Sequence, residues 1–209
     1  MGKPDFEQAR RYALTRLERE LSPRFYYHSL AHTRDDVVAA VERLAQMEGV
    51  QGSDWIILLT AAYYHDIGFC LLDTSRYQEN QHEALSFQIA AQALPSFGYT
   101  PEQVETIQGI IMATQIPQKP QTLLEAVMAD ADLDQLGRED FWERSQALRE
   151  EQAAFGMTYT ELEWYRSQET FLSSHRYFTR AARGLRNAQK RRNLLEVRRR
   201  LKRLEAQPG

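Results

Sequence analysis

Apolar residues recur at three- and four-residue spacing along nearly the whole chain, and no segment alternates them as a half-buried strand between hairpin turns must. That pattern restricts the fold to an all-α class. Asp5 is placed to cap a first helix through Leu21, which Pro23 ends. Residues 30–47 carry Leu30, Val37, Val38, Val41 and Leu44 at helical spacing, and Gly49 and Gly52 break the run. Ser53 or Asp54 then caps an apolar helix reaching His65. Residues 68–80 lack the period and read as a loop. A helix over 82–94 is closed by Pro95, and Thr100-Pro101 sets an N-cap with proline in the first helical position. That helix is ended by Pro117 and Pro120. Further helices are expected over 123–136, over 141–155 up to Gly156, and in two runs through 159–204. The expected organisation is one body, residues 1–172, with a basic helical extension, residues 173–209, packed on it.

Charge supports that division. The chain of 209 residues carries a net charge of −3. From Arg176 onward twelve Lys or Arg face two acids, leaving 14 basic and 27 acidic residues before it. A basic helix against an acidic body is the simplest account, and a surface for anions or nucleic acid is the sharper one. No run approaches the roughly 18 apolar residues of a membrane span, so no membrane role is expected. The first residues, MGKPDFEQARRY, show no apolar segment after the basic residue, so no secretory signal is expected there. Cys70 is the single cysteine, which excludes an intrachain disulfide and suits a cytoplasmic setting.

Chemistry concentrates in three places. Five histidines occur, and His28 and His32 are four apart, on one face if a single helix covers both. His65-Asp66 ends the apolar helix, where both side chains can turn into one cavity. Asp130-Ala131-Asp132 follows Leu123, Leu124, Val127 and Met128, and a carboxylate beside a core-facing stripe needs a partner. That partner could be a metal, or the acids could cap a helix near Leu133. A set of two histidines and two aspartates suits one divalent ion, Mn, Fe, Mg, Co, Ni or Zn, with positions left for water and substrate. Tyr63, Tyr64, Phe69, Trp142 and Trp164 read as core aromatics.

These segments, YYHSLAHT, AAYYHDIGF and DADLDQLG, resemble in order and spacing the HD superfamily of metal-dependent phosphohydrolases over residues 24–137. HEALS, LPSFGYTPEQ, MATQIPQKP, EWY and SSHRYFT extend the likeness to a bacterial subgroup as far as Asn193. The resemblance implies an HD-domain-like helical bundle, with His32, His65, Asp66 and Asp132 as metal ligands and Asp130 as the alternative to Asp132. It implies His28 as the proton donor to the leaving oxygen, and it places His82 and Glu83 where some members keep an outer acid or a second-metal ligand. Residues 110–114 hold no histidine, so a full second metal site is not expected.

The implied activity is hydrolysis of a phosphomonoester or phosphodiester of a nucleotide or small phosphorylated metabolite by a metal-activated water. Arg24, Arg76, Arg176, Arg180 and Arg183 are candidates to neutralise phosphoryl oxygens, and His82 a further substrate contact. A homodimer is allowed for. The alternatives are a non-catalytic metal-containing sensing or interaction module and, third, nucleic-acid binding through residues 176–203.

Overall fold

The segment that is apolar on every side takes the centre of the molecule, as it must. This is helix α3 (Gly52–Tyr64), whose residues from Ile57 to Tyr64 are all buried. The structure, a computed structural model, describes residues 3–72 and 81–206. Around α3 stand α1 (Phe6–Glu20), α2 (Val38–Met47), α5 (Pro101–Met112) and α6 (Leu123–Asp132). Helix α4 (His82–Ala93) lies on α5 and on a 3₁₀ turn, Ile67–Leu71, that follows α3. Helices α7 (Phe141–Ala154), α8 (Glu161–Ser174) and α9 (Arg180–Glu205) complete the chain. No strand occurs among the described residues, so the protein is all-α. No helix among them is long and apolar enough to cross a membrane.

Local signals set the helix starts. The Asp5 carboxylate accepts from Gln8 N at 3.0 Å, and α1 buries Ala9, Ala13 and Leu17. Thr100 and Gln103 form a reciprocal capping box with Pro101 in the first turn of α5. Helix α9 is not a loose appendage. Val197 and Leu201 share an apolar cluster with Leu133, Leu136, Phe141 and Leu172, while Ala181 and Ala182 enter the cluster around α3. Its polar residues are equally tied down. Arg186 forms a forked pair with the buried Asp134 at 2.6 and 2.7 Å, and Asn193 Nδ2 donates to the carbonyls of Leu136 and Arg138. Gly137 permits this approach, because a Cβ there would meet Arg186 Cβ at 2.5 Å.

Several boundaries differ from the sequence pattern. Helix α3 starts at Gly52 with Gln51 outside it, so neither Ser53 nor Asp54 caps it. Part of the stretch read as a loop is the 3₁₀ turn Ile67–Leu71. The helix expected over 123–136 ends at Asp132, where Leu133 leaves helical dihedrals and a second 3₁₀ turn, Asp134–Gly137, begins. The run preceding α2 is helical, but its segment His32–Val37 is a π-helix. His28 lies in a bend before that run, so His28 and His32 are not on one helix. Their rings nevertheless come within 5.8 Å.

Candidate metal centre

Three separate chain features converge on one point. The π segment begins at His32, and such widened turns often mark functional positions because they re-aim a side chain. His65 caps α3 in helical conformation, while Asp66 breaks from it at φ −104°, and both side chains turn into the same space. Asp132 is the last residue of α6.

His65 Nε2 lies 3.1 Å from Asp66 Oδ2, and His32 Nε2 lies 3.6 Å from the same oxygen. Asp132 Oδ1 is 3.5 Å from His65 Nε2 and 3.6 Å from His32 Nε2. The donor atoms of His32, His65 and Asp66 all lie within 4.8 Å of one another. Donors bound about 2.0–2.2 Å from one ion stand roughly 3–4 Å apart, so the spacing fits a shared divalent cation. His65 Nδ1 faces the Ala62 carbonyl at 2.8 Å, which puts its proton on Nδ1 and leaves Nε2 as the acceptor.

The decisive feature is what these atoms lack. His32 Nε2, His65 Nε2 and Asp66 Oδ2 are fully buried and have no hydrogen-bond partner. Buried polar atoms without partners are costly, and a cation held among these three could satisfy them. The site's electrostatics agree. Burial opposes charge on His65, but Asp66 and Asp132 outweigh it and raise its pKa well above the ordinary value. Burial likewise opposes charge on the two acids. His65, with His28 and His82, holds Asp66 below the usual carboxylate range, and His32 and His65 hold Asp132 at about 2. The pocket favours positive charge whether a proton or a metal supplies it.

Asp130, the alternative ligand, does other work. It is 0% exposed, and its carboxylate accepts from Phe178 N, Thr179 N and Thr179 Oγ1 at 2.7–2.8 Å. It therefore anchors the entry to α9. Burial pushes its carboxyl up against these hydrogen bonds.

His82 and Glu83 open α4 beside the centre. His82 Nε2 is 3.5 Å from Asp66 Oδ1, and its ring stacks on Phe69 at 4.1 Å. Burial lowers His82 to about 4 and raises Glu83 to about 7, with Asp66 and Asp132 adding to the latter. Ser86 clamps this helix to the centre, accepting from Gly68 N at 2.8 Å and donating to the His65 carbonyl at 2.6 Å. A Cβ on Gly68 would run into the His82 carbonyl and sit 2.7 Å from Ser86 N. Gly68→Ala should therefore push α4 off the turn, destabilise the fold by about 2 kcal/mol and move His82 and Glu83 away from Asp66. Urea unfolding of the purified variant checks the first effect, and unchanged stability would contradict the packing described.

His28 is joined by a residue that the sequence pattern did not single out. Glu151 of α7 is 1% exposed. Its Oε1 lies 2.5 Å from His28 Nδ1, and Oε2 accepts from Tyr27 N at 2.8 Å and His28 N at 2.9 Å. Burial pulls the His28 imidazole down, but Glu151, followed by Asp66 and Asp132, outweighs it and leaves His28 at about 9. In sequence, Glu151 is one acid in a polar helix, 123 positions from its partner.

His28, Asp66, His82, Glu83 and Asp132 line one wall of a cavity of about 430 Å³ that continues between α7 and α8. Trp164 and Thr114 line it too, so Trp164 is both buried and cavity-facing. Among the candidate phosphate-binding arginines, Arg24, Arg176, Arg180 and Arg183 do not line this cavity. Arg24 bonds the Ala154 carbonyl and lies over Phe155 at 4.4 Å. Arg176 is exposed and bonds the carbonyls of Ser173 and His175, and Arg180 and Arg183 are exposed on α9. Arg76 lies outside the described residues. No family model, no curated protein and no solved structure matches this chain.

Proposed function

We propose that the chain is a metal-dependent phosphohydrolase holding one divalent ion through His32, His65, Asp66 and Asp132. The observation that carries this reading is the set of three buried donor atoms of His32, His65 and Asp66, which among the described residues make no hydrogen bond outside their own cluster and gather beside a cavity. A divalent ion held there would lower the pKa of a water and polarise a phosphoryl oxygen. The remaining chemistry belongs to the chain. Glu151 fixes the His28 tautomer through Nδ1, so that Nε2 is the atom available to the cavity. The imidazolium then donates its Nε2 proton to the leaving oxygen. Glu83, with a carboxyl near 7, takes up or releases a proton beside Asp66 at neutral pH. The resemblance of the three histidine and aspartate segments to HD phosphohydrolases supports the same reading.

The reading is tested by phosphate release from a phosphoester panel with Mn²⁺, Mg²⁺, Co²⁺ or Ni²⁺. Metal-dependent release supports it, and none under any condition sinks it. Glu151 gives a sharper test as a positioning residue. His28 at about 9 is a cation below that pH and loses its proton above it, so the rate should fall as pH rises through that region. Glu151→Gln removes the principal charge that raises it. The basic limb should then move down by about two pH units, toward the ordinary imidazole value, with an accompanying loss of about 10-fold in kcat at pH 8. A profile of unchanged shape would show that Glu151 serves packing alone.

A further inference from the structure

We infer that the exposed face of α9 is a docking surface for double-stranded nucleic acid, which it holds by the phosphate backbone without regard to base sequence. Its residues are not among those lining the cavity beside the metal centre, so the surface stands independently of the hydrolase reading.

Helix geometry gathers the charge on one side. At about 100° per residue, Arg191, Arg192, Arg198, Arg199, Lys202 and Arg203 fall on one arc of about 140°. All six are exposed. The opposite side carries Lys190, Asn193, Val197 and Leu201, all buried, so docking of α9 on the body turns the basic side outward. Little of that charge is spent on the body. Arg191 Nε donates to the Asn187 carbonyl and Arg192 Nε to Gln189 Oε1, both neutral acceptors. Arg198 pairs with Glu169 at 2.9 Å and Arg199 with Glu196 at 3.5 Å, but these arginine side chains are 49% and 69% exposed. Ion pairs so open to water are weak and exchange readily for phosphate. Residues 1–175 hold 14 basic and 27 acidic residues, so the body repels a polyanion and leaves this face as the place for one.

The side chains select the kind of polyanion. Arg191 to Arg203 spans about 18 Å of helix, a length over which a duplex carries about ten phosphate charges. Five of the six cations are arginines, whose planar fork takes phosphate oxygens two at a time. No aromatic residue occurs in α9, so nothing there stacks on unpaired bases, and a duplex is favoured over a single strand. A helix lying in a membrane surface buries a continuous apolar face, whereas Leu195 is the one apolar residue on this arc between Arg191 and Arg203.

The test is fluorescence anisotropy of a labelled duplex of about 25 base pairs, as DNA and as RNA, titrated with the full chain between about 50 and 200 mM KCl. Log affinity should fall against log salt with a slope of about −4 to −5, and two unrelated sequences should bind within about threefold of each other. Arg192→Gln combined with Arg199→Gln and Lys202→Gln should make that slope shallower by about 2–3 and weaken binding about tenfold or more at ~100 mM KCl. The same loss of charge elsewhere, Arg11→Gln combined with Arg19→Gln and Lys119→Gln, should leave both unchanged. All six positions are exposed, so both variants keep the fold. Asp66→Asn should bind the duplex as wild type does, which separates this surface from the metal centre. No duplex binding at ~50 mM KCl, equal weakening by the two triple variants, or loss of binding in Asp66→Asn overturns the inference. Tighter binding of a single strand of the same length overturns it too. Binding of phosphatidylserine vesicles but not of the duplex assigns the face to a membrane instead.

Discussion

Asp130→Ala should destabilise the protein by about 3–5 kcal/mol, because it leaves buried donors without an acceptor. The donors are Phe178 N, Thr179 N and the Thr179 hydroxyl, all on the approach to α9. Thr179 also caps that helix, accepting from Ala182 N at 3.1 Å, so loss of Asp130 frees the cap together with its support. Asp132→Ala, two positions away, should behave in the opposite manner. Asp132 is 18% exposed to the cavity and anchors no backbone donor, its partners being the His32 and His65 rings, so unfolding of the metal-free chain should change by less than for Asp130→Ala, by at most about 2 kcal/mol. Its effect should appear in metal content. Urea titrations of both variants in the presence of chelator measure the contrast. Equal destabilisation would contradict the division of labour between the two acids.

Asp66→Asn should lower turnover by about 10³-fold, equivalent to about 4 kcal/mol in the barrier. Asp66 supplies the buried anionic oxygen nearest His65, and an amide of the same shape carries no charge to offset a divalent ion. Its second oxygen faces His82 Nε2 at 3.5 Å, so the substitution also disturbs the start of α4. Steady-state phosphate release at saturating metal checks the magnitude. Retention of more than about a tenth of the wild-type rate would show that Asp66 is not a ligand of the working ion.

The helical class was legible because the apolar spacing and the caps act locally. Asp5 and Thr100 each bond an amide three residues on, which a linear sequence can disclose. The candidate ligands were legible as residue types at three chain positions, but their geometry was not. Whether a turn closes with an i+4 or an i+5 bond depends on packing around it, so the π segment at His32 left no trace in the spacing. Asp130 and Asp132 were indistinguishable in sequence, since Asp130 is defined by amides 48 and 49 residues away. Glu151 and the cavity wall were hidden for the same reason, being contacts between distant elements. Charge alone does not disclose which side chains meet the cavity: Arg24, in the turn after α1, packs on Phe155, and Arg176, Arg180 and Arg183 are exposed.

The central claim is a single divalent ion among His32, His65, Asp66 and Asp132, and metal content tests it most directly. The protein would be purified without chelator, loaded with Mn²⁺, desalted and measured by plasma mass spectrometry beside Asp66→Asn. The predicted result is close to one ion per wild-type chain and background levels in the variant. A wild-type chain that retains no divalent ion under any loading, or a variant that retains as much as wild type, would contradict it.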